Sequence, residues 1–255
     1  MPSSDFAWAI EGSIGTLTFT RPQARNALTW DMYDALVDTC ERVDTSDVRV
    51  FVIRGVGGVF SGGTDIAQFR DFQTGADGVA YERRLDTVID RLEHVNKITI
   101  AAIDGPAVGG GCAIALACDL RLCSERARFG VPVARTLGNC LSAANLGRLV
   151  DLVGHARALD VLFTARLIEA GEALQLGLAT RVVPSESLDA EVARLAADLT
   201  QRASSTVQAT KALLRRLRDE RRPAAADDII AACYASQEFH EGVTAFLEGR
   251  RPAWK

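Results

Sequence analysis

Apolar and polar residues recur along this chain with two different periods, and the two periods distinguish strands from helices. Short apolar, β-branched runs that are typical of strands occupy residues 6–10, 14–20, 48–54 and 98–104. The glycine-containing turn between the first two runs predicts a β-hairpin. Apolar residues at helical spacing over 31–44 and 85–95 predict amphipathic helices, and Thr29 is placed to cap the first of them.

The second half of the chain continues this alternation and then becomes helical. We expect an apolar helix after the glycines near residue 110, a strand at 120–124 and a helix that begins near Asn139. From Leu188 onward the apolar period is helical, with a break near 221–223. Strands and helices that alternate and are then followed by helices alone predict an α/β core over 1–188 and a helical region over 189–255.

The composition is that of an ordinary globular chain and limits the function mainly by exclusion. The 255 residues are 48% hydrophobic and 24% charged, with a formal net charge of −4. This balance argues against nucleic acid as a partner, because nucleic-acid binding normally needs a basic face. No apolar run approaches the ~18 residues of a membrane span, and the first residues lack the pattern of a signal peptide. We therefore expect a cytoplasmic protein with no membrane partner.

The cysteines and histidines give no metal-binding pattern. None of the six cysteines forms a Cys-x-x-Cys pair, and most of them lie in apolar runs, as buried thiols in a reducing compartment do. Only Cys140 lies in a polar context, where a nucleophilic thiol is the alternative. The three histidines are far apart in the chain, so we predict no metal site.

Two glycine-rich segments each follow a predicted strand and open a predicted helix. They are FSGGTDI at 60–66 and VGGGCAIALACD at 108–119. Glycine inside a helix costs about 1 kcal/mol relative to alanine, so three consecutive glycines indicate that the backbone must approach something closely. The N-terminus of a helix presents unpaired N–H groups and the positive end of its dipole. The two segments could therefore direct donors at one oxygen, and tight helix–strand packing is the alternative.

Three well-known glycine-containing motifs do not fit these segments. A P-loop requires Gly-Lys-Ser/Thr, which is absent. The dinucleotide-binding fingerprint requires an acidic residue about 20 positions after its glycines, and Asp119 comes too soon. Ser61 lacks the flanking residues of the G-x-S-x-G elbow of serine hydrolases.

Together, FSGGTDI and IAAIDGPAVGGGCAIALACDLRL (100–122) resemble the signature of the crotonase superfamily, the enoyl-CoA hydratase and isomerase group. The resemblance covers nearly the whole chain: RPQARNAL (21–28) is similar to the family's CoA loop, RFGVP (128–132) to its active-site segment, and EGVTAFLEGRRP (241–252) to its C-terminal helix. It implies an α/β fold, a crotonase-type spiral of ββα units, with a helical C-terminal region that builds trimers or hexamers. The implied ligand is an acyl-CoA thioester, in which coenzyme A is part of the substrate and no separate cofactor is needed.

The resemblance also implies roles for particular residues. The backbone N–H groups of Thr64 and Gly110 would form an oxyanion hole for the thioester carbonyl. The residues implied to contact coenzyme A or the acyl group are Ala24, Arg25, Ala27, Gly63, Asp65, Ile66, Gly111, Val133, Arg135 and Phe246. Phe246, with the Arg250–Arg251 pair, resembles an element that a neighbouring subunit contributes. Asp65 could act as a general base, or alternatively have a structural role in the first turn of a helix, where the dipole favours an acid. Asp119 resembles the acid of the family signature, which implies a structural role.

The sequence departs from the family's hydratases at both catalytic glutamates. The positions after the glycine–cysteine run and after the Phe-Gly-x-Pro segment hold Ala113 and Val133. General acid–base help is worth roughly 10²- to 10⁴-fold, so ordinary hydration is not expected. Asn139 and Ser142 are candidate catalytic residues that would orient the substrate, or alternatively cap the following helix. The stretch expected to line the acyl pocket contains Tyr81, Glu82, Leu85 and Asp86, and its two acids are possible replacements.

Two functions follow from this pattern. The first is an acyl-CoA-processing enzyme that polarises a thioester carbonyl through Thr64 and Gly110. The second is a non-catalytic acyl-CoA-binding protein of the same fold, which the loss of both acids favours. A serine peptidase of this general fold is a third reading, but the chain has no recognisable Ser/His/Asp constellation.

Overall fold

The computed structural model describes residues 5–220 and 226–254. The strands are β1 (Phe6–Glu11), β2 (Ile14–Phe19), β3 (Val50–Gly55), β4 (Ile98–Ile103), β5 (Pro106–Val108), β6 (Leu120–Ser124), β7 (Arg128–Gly130), β8 (Ile168–Glu169) and β9 (Arg181–Val183). The helices are α1 (Trp30–Thr45), α2 (Gly75–Glu93), α3 (Gly110–Ala117), α4 (Val133–Thr136), α5 (Ala143–Val153), α6 (His155–Thr164), α7 (Ala170–Gln175), α8 (Leu188–Leu199), α9 (Ser204–Asp219), α10 (Asp227–Tyr234) and α11 (Gln237–Leu247). No helix within these residues has both the length and the apolar character that crossing a membrane requires.

The larger sheet contains the predicted hairpin and the predicted buried strands. In the described residues its order is β1-β2-β3-β4-β6-β9, with β1 and β2 antiparallel and the other neighbours parallel. Side chains alternate between the two faces of a strand. On β3, Phe51 and Ile53 therefore join the main core, whereas Val50 and Val52 join a smaller core beneath α8.

The smaller sheet gives the chain its repeating unit. It has the order β5-β7-β8 in the described residues, and the bridge between Ser61 and Ala107 extends it towards the first glycine-rich segment. The path β4–β5–α3 is followed by β6–β7–α4, so that a strand of the large sheet, a strand of the small sheet and a helix recur in turn. The elements thus repeat as the predicted ββα units. The two glycine-rich segments follow the carboxyl ends of β3 and β5, and they approach each other there.

The C-terminal helices pack on the core of their own chain. Tyr234 of α10 and Phe239 of α11 are fully buried and belong to the main core. On α9, Lys211 donates to an oxygen of Asp119 at 2.6 Å, and the same oxygen accepts from the N–H of Thr99 at 2.8 Å. The structural role predicted for Asp119 is confirmed by these contacts. The predicted break at 221–223 lies outside the described residues.

The prediction that a helix begins near Asn139 is wrong. The structure instead has the short α4 followed by a loop, and α5 begins at Ala143. Gly138, with φ of +70°, turns the chain in the left-handed region, where a helix cannot continue. The Oγ of Ser142 then accepts from the N–H of Asn145 at 3.1 Å and caps the new helix.

Candidate active site

A cavity of about 530 Å³ lies between the two glycine-rich segments, α2, the loop before α5 and α11. Its wall contains most of the residues that the sequence singled out: Ala24, Arg25, Ala27, Gly63, Thr64, Asp65, Ile66, Gly110, Val133, Asn139 and Phe246. Phe246 reaches this cavity from the same chain, whereas the resemblance implied a neighbouring subunit. Gly111, Arg135 and Ser142 are not part of the described wall.

The two glycine-rich segments meet backbone to backbone. A Cβ added to Gly63, whose φ is +97°, would lie 2.9 Å from the carbonyl oxygen of Val108 and 3.4 Å from the nitrogen of Gly110. Both the positive φ and this close approach require glycine. The first segment is fixed on its other side, because the N–H of Leu28 donates to the oxygen of Gly63 at 2.8 Å. The glycines therefore allow two strand-to-helix turns to share one small volume.

The N–H groups of Thr64 and Gly110 are unpaired donors at this junction. Leu28 bonds to the residues on either side of Thr64, which leaves the Thr64 N–H outside that ladder. Gly110 is the first residue of α3, so its N–H has no partner inside the helix. Within the described part of the chain neither N–H donates a hydrogen bond. Both residues line the cavity, as donors that stabilise a negatively charged oxygen must.

A buried hydroxyl cluster supports these donors from behind. The Oγ1 of Thr64 lies 2.7 Å from the Oη of Tyr33 and 2.8 Å from the Oη of Tyr81. Burial raises the pKa of both tyrosines well above its ordinary value, so both phenols stay neutral. The Tyr33 hydroxyl also fills the space beside Gly110, where an added Cβ would be 2.2 Å away. Sequence reasoning missed Tyr33, because its helix gave only a signal for core packing.

The loop 21–28 is held in place by Asn26, a second residue that the sequence analysis missed. Asn26 is completely buried, and its side-chain amide donates to the carbonyl oxygens of Val56 and Val59 at 2.9 and 2.7 Å. The Oγ of Ser61 donates to the Asn26 carbonyl at 2.9 Å. Arg25 is therefore presented, exposed, on a fixed backbone at the edge of the cavity.

Asp65 has the structural role that was one of its two predicted readings. Its Oδ1 accepts from the N–H of Ala67 at 3.2 Å, which caps a single 3-10 turn at Ile66–Phe69. Its Oδ2 pairs with the Arg21 guanidinium at 3.2 Å. Because both oxygens are engaged in this way, Asp65 holds the backbone beside the cavity, and its contacts do not resemble those of a general base.

The positions at which the two family glutamates are missing also lie on the cavity wall. Ala113 and Val133 line it there and carry no titratable group. Glu82 lines the same cavity, and only 3% of its surface is exposed. Its Oε1 accepts from the Tyr234 hydroxyl at 2.6 Å and its Oε2 from the Ser142 N–H at 3.1 Å. Burial raises the pKa of this carboxyl to about 7.

Asn139 is a further polar side chain that lines the cavity. Its Nδ2 donates to the Tyr234 hydroxyl at 3.0 Å, so Asn139 and Glu82 contact the same phenol oxygen. Its Oδ1 is buried and accepts no hydrogen bond from the described residues. A buried acceptor of this kind suits a donor that enters with the ligand or as water.

The remaining candidates from the sequence are Ser142, Gly111, Arg135 and Cys140. Ser142 caps α5 and donates to Asp86 at 2.6 Å, as in its capping alternative. A Cβ on Gly111 would lie 2.6 Å from the Cβ of Ser61, so this glycine serves packing. Arg135 is exposed on α4. The contact with Cys233 and burial raise the pKa of the Cys140 thiol, which therefore stays neutral and is a poor nucleophile.

Comparison with known proteins shows the family of this chain. Residues 9–255 match the enoyl-CoA hydratase/isomerase family. The chain belongs to the enoyl-CoA hydratase/isomerase family. A probable enoyl-CoA hydratase of Mycobacterium tuberculosis is 32% identical over 249 residues, which cover 94% of this chain and 93% of the relative. A short-chain-enoyl-CoA hydratase of Clostridium acetobutylicum is 32% identical over 246 residues, covering 94% of each.

A solved structure gives the same assignment for the fold. The enoyl-CoA hydratase/isomerase of Pseudoalteromonas atlantica matches with a TM-score of 0.86 and 30% identity, covering 99% of this chain and 100% of that protein. The α/β fold of the enoyl-CoA hydratase/isomerase family, also called crotonase, is therefore the fold of this chain.

Proposed function

We propose that this protein is an acyl-CoA-processing enzyme that polarises the thioester carbonyl between the N–H groups of Thr64 and Gly110. The observation that carries the proposal is the pair of unpaired donors that line one cavity in a member of this family. Such a donor is worth about 2.7–4 kcal/mol of transition-state stabilisation. Two donors would stabilise the enolate oxygen that forms when the acyl group reacts next to its carbonyl.

The other end of the cavity suits coenzyme A. Arg25 is exposed at the cavity edge and can pair with a phosphate as a planar fork donor. The small residues Ala24 and Ala27, with Ile66, leave room for the nucleotide beside it, and Phe246 offers an apolar face that is half exposed. These residues form the coenzyme A subsite of the proposal.

Hydration of the usual kind is not part of the proposal. Ala113 and Val133 cannot transfer protons, although the curated relatives are hydratases. The presence of alanine and valine at these two positions favours the second candidate, a non-catalytic acyl-CoA-binding protein, because binding needs the glycine-rich segments but not the acids. The two candidates differ in turnover and not in affinity.

Titration calorimetry with butyryl-CoA and product analysis with a panel of acyl-CoAs would separate the candidates. We expect butyryl-CoA to bind, and Arg25→Ala to weaken its binding by about tenfold, as the loss of one charged hydrogen bond does. Crotonyl-CoA hydration, followed by the loss of its conjugated-thioester absorbance, would be measured on the same preparation. Binding without product from any acyl chain supports the binder, and a lack of binding contradicts both candidates.

We further propose that the chain assembles as a homotrimer or as a hexamer. Leu213, Leu214 and Leu217 on α9 expose 60%, 61% and 55% of their surface in the single chain. Light scattering is expected to give three or six times the chain mass of 27.4 kDa. The double substitution Leu213→Ser/Leu217→Ser should shift the assembly towards smaller species. Ile10 is also exposed, and Ile10→Ser should leave the assembly unchanged. A monomeric wild-type protein would contradict the assembly.

A further inference from the structure

The proposed site polarises a carbonyl, but Ala113 and Val133 replace the two glutamates that would move a proton. Its wall contains two carboxyl groups, Asp65 and Glu82. Asp65 is engaged by Arg21 and by the turn that it caps. Glu82 is the one that is nearly completely buried, and none of the contacts described for it is with a cation. It therefore differs from a carboxylate that only stabilises the fold through an ion pair.

The Glu82 carboxyl is oriented from two sides. The Tyr234 hydroxyl holds Oε1 and the Ser142 N–H holds Oε2, and the Asn139 amide in turn donates to Tyr234. Each carboxylate oxygen can accept more than one hydrogen bond, so both oxygens keep a lone pair for a proton. The unpaired Oδ1 of Asn139 provides a further acceptor on the same wall.

Glu82 lines the same cavity as the oxyanion donors. It follows Tyr81, whose hydroxyl contacts Thr64 at 2.8 Å. Burial, and to a smaller extent the charge of Glu82, raises the pKa of Tyr33, the residue that fills the space beside Gly110. The carboxyl and the two donors therefore line one cavity, and the hydroxyl cluster contacts Thr64 beside it.

The titratable groups around Glu82 are mainly acidic or neutral. Those that act on it or that it acts on are Tyr33, Tyr81, Asp86, Cys140, Cys233 and Tyr234. Burial and the charge of Asp86 raise the pKa of Glu82, while the hydrogen bonds from Tyr234 and Ser142 lower it, and the result is about 7. A carboxyl with such a pKa can take up and release a proton near neutral pH.

We propose that Glu82 is the acid–base residue of the acyl-CoA chemistry, in place of the two glutamates that the family's hydratases use. This inference rests on the proposed function. The Glu82 carboxylate takes a proton from the carbon next to the thioester carbonyl. The C–H electron pair becomes the new C–C double bond, and the carbonyl π pair moves to the oxygen held by Thr64 and Gly110. Return of the proton to carbon reverses the step, so that no other reactant is consumed.

Exchange of the α-protons of butyryl-CoA in D₂O, measured by mass spectrometry, tests this step directly. We expect the wild type to incorporate deuterium and Glu82→Gln to do so roughly 10²- to 10⁴-fold more slowly. Glu82→Gln keeps the size of the side chain, so butyryl-CoA should still bind in calorimetry. Glu186→Gln, the same change at an exposed position, is the matched control and should exchange like the wild type.

The pH profile separates proton transfer from a structural role. Wild-type exchange should rise with pH through a limb near the Glu82 pKa of about 7, because the carboxylate is the reactive form. Asp86→Asn removes a neighbouring negative charge and should move this limb to lower pH. The residual exchange of Glu82→Gln should lack the limb. If Glu82→Gln fails to fold, Glu82→Asp, which keeps the carboxylate, should restore folding and part of the exchange.

The outcomes distinguish this inference from the proposed function. Exchange in Glu82→Gln at the wild-type rate, or a wild-type limb that Asp86→Asn leaves in place, would overturn the role of Glu82 while leaving the acyl-CoA enzyme intact. Wild-type protein that binds butyryl-CoA without exchanging its protons would also overturn that role and would support the binder. A lack of binding would overturn the proposed function itself.

Discussion

Gly110→Ala is expected to lower acyl-CoA turnover by at least about 10²-fold, the cost of losing one oxyanion donor. The new Cβ would lie 2.2 Å from the Tyr33 hydroxyl and 3.2 Å from the Oγ1 of Thr64. Tyr33 is buried within α1 and cannot move away freely, so the helix N-terminus and its N–H must shift instead. The measurement is deuterium exchange into butyryl-CoA, or turnover of whichever thioester proves to be a substrate.

A second substitution makes this prediction specific. Tyr33→Phe removes the oxygen that the Cβ would meet, and the next Tyr33 atom, Cζ, lies at an ordinary contact distance of 3.5 Å. Tyr33→Phe/Gly110→Ala should therefore recover part of the turnover that Gly110→Ala loses, with Tyr33→Phe alone as the reference. Alanine keeps the N–H, so full activity in Gly110→Ala would show that the added Cβ does not displace this donor. Failure of the double variant to recover would show that the clash is not the cause.

The second large effect concerns the docking of α10 on α2. A Cβ on Gly78 would lie 2.0 Å from the Cγ of the fully buried Tyr234 ring. Gly78→Ala should lower the free energy of unfolding by about 1–3 kcal/mol or more, as overpacking of a core does. It should also reduce α-proton exchange, because Tyr234 holds the Glu82 carboxyl. Denaturation with urea, followed by circular dichroism, measures the first effect.

Gly147→Ala provides the matched control for this change. Gly147 lies inside α5, and an added Cβ would meet no atom within 4 Å. The same substitution should there raise the free energy of unfolding by about 0.5–1 kcal/mol, because alanine loses less conformational freedom in a helix. Equal effects of the two substitutions would contradict close packing of Gly78 against Tyr234.

Much of the fold was predictable from local patterns. The hairpin, the strand β4 and helix α1 with its Thr29 cap are confirmed, because each depends on spacing within a few residues. The start of α5 was not predicted correctly. Both Asn139 and Ser142 are acceptable caps, and the choice between them depends on contacts of Ser142 with α2, which the local sequence does not contain.

The candidate site, like the fold, was predictable from the sequence only in part. The two glycine-rich segments and the family were evident in the sequence, since a motif of neighbouring residues carries the signal. The support of these segments was not evident, because Tyr33 and Thr64 are 31 positions apart. Glu82 could be named as a candidate from its place in the stretch before the glycines. Its hydrogen bond to Tyr234, 152 positions away, could not be foreseen.

By itself, the sequence determined the strand and helix pattern, the family and the two segments that supply unpaired N–H groups. Periodicity and glycine content act over short distances along the chain, and they are therefore legible without coordinates. Only the tertiary structure decided which of several acids is buried in the cavity and which serine is a cap. Burial, charge and orientation arise from residues that are distant in sequence, and packing alone brings those residues into contact.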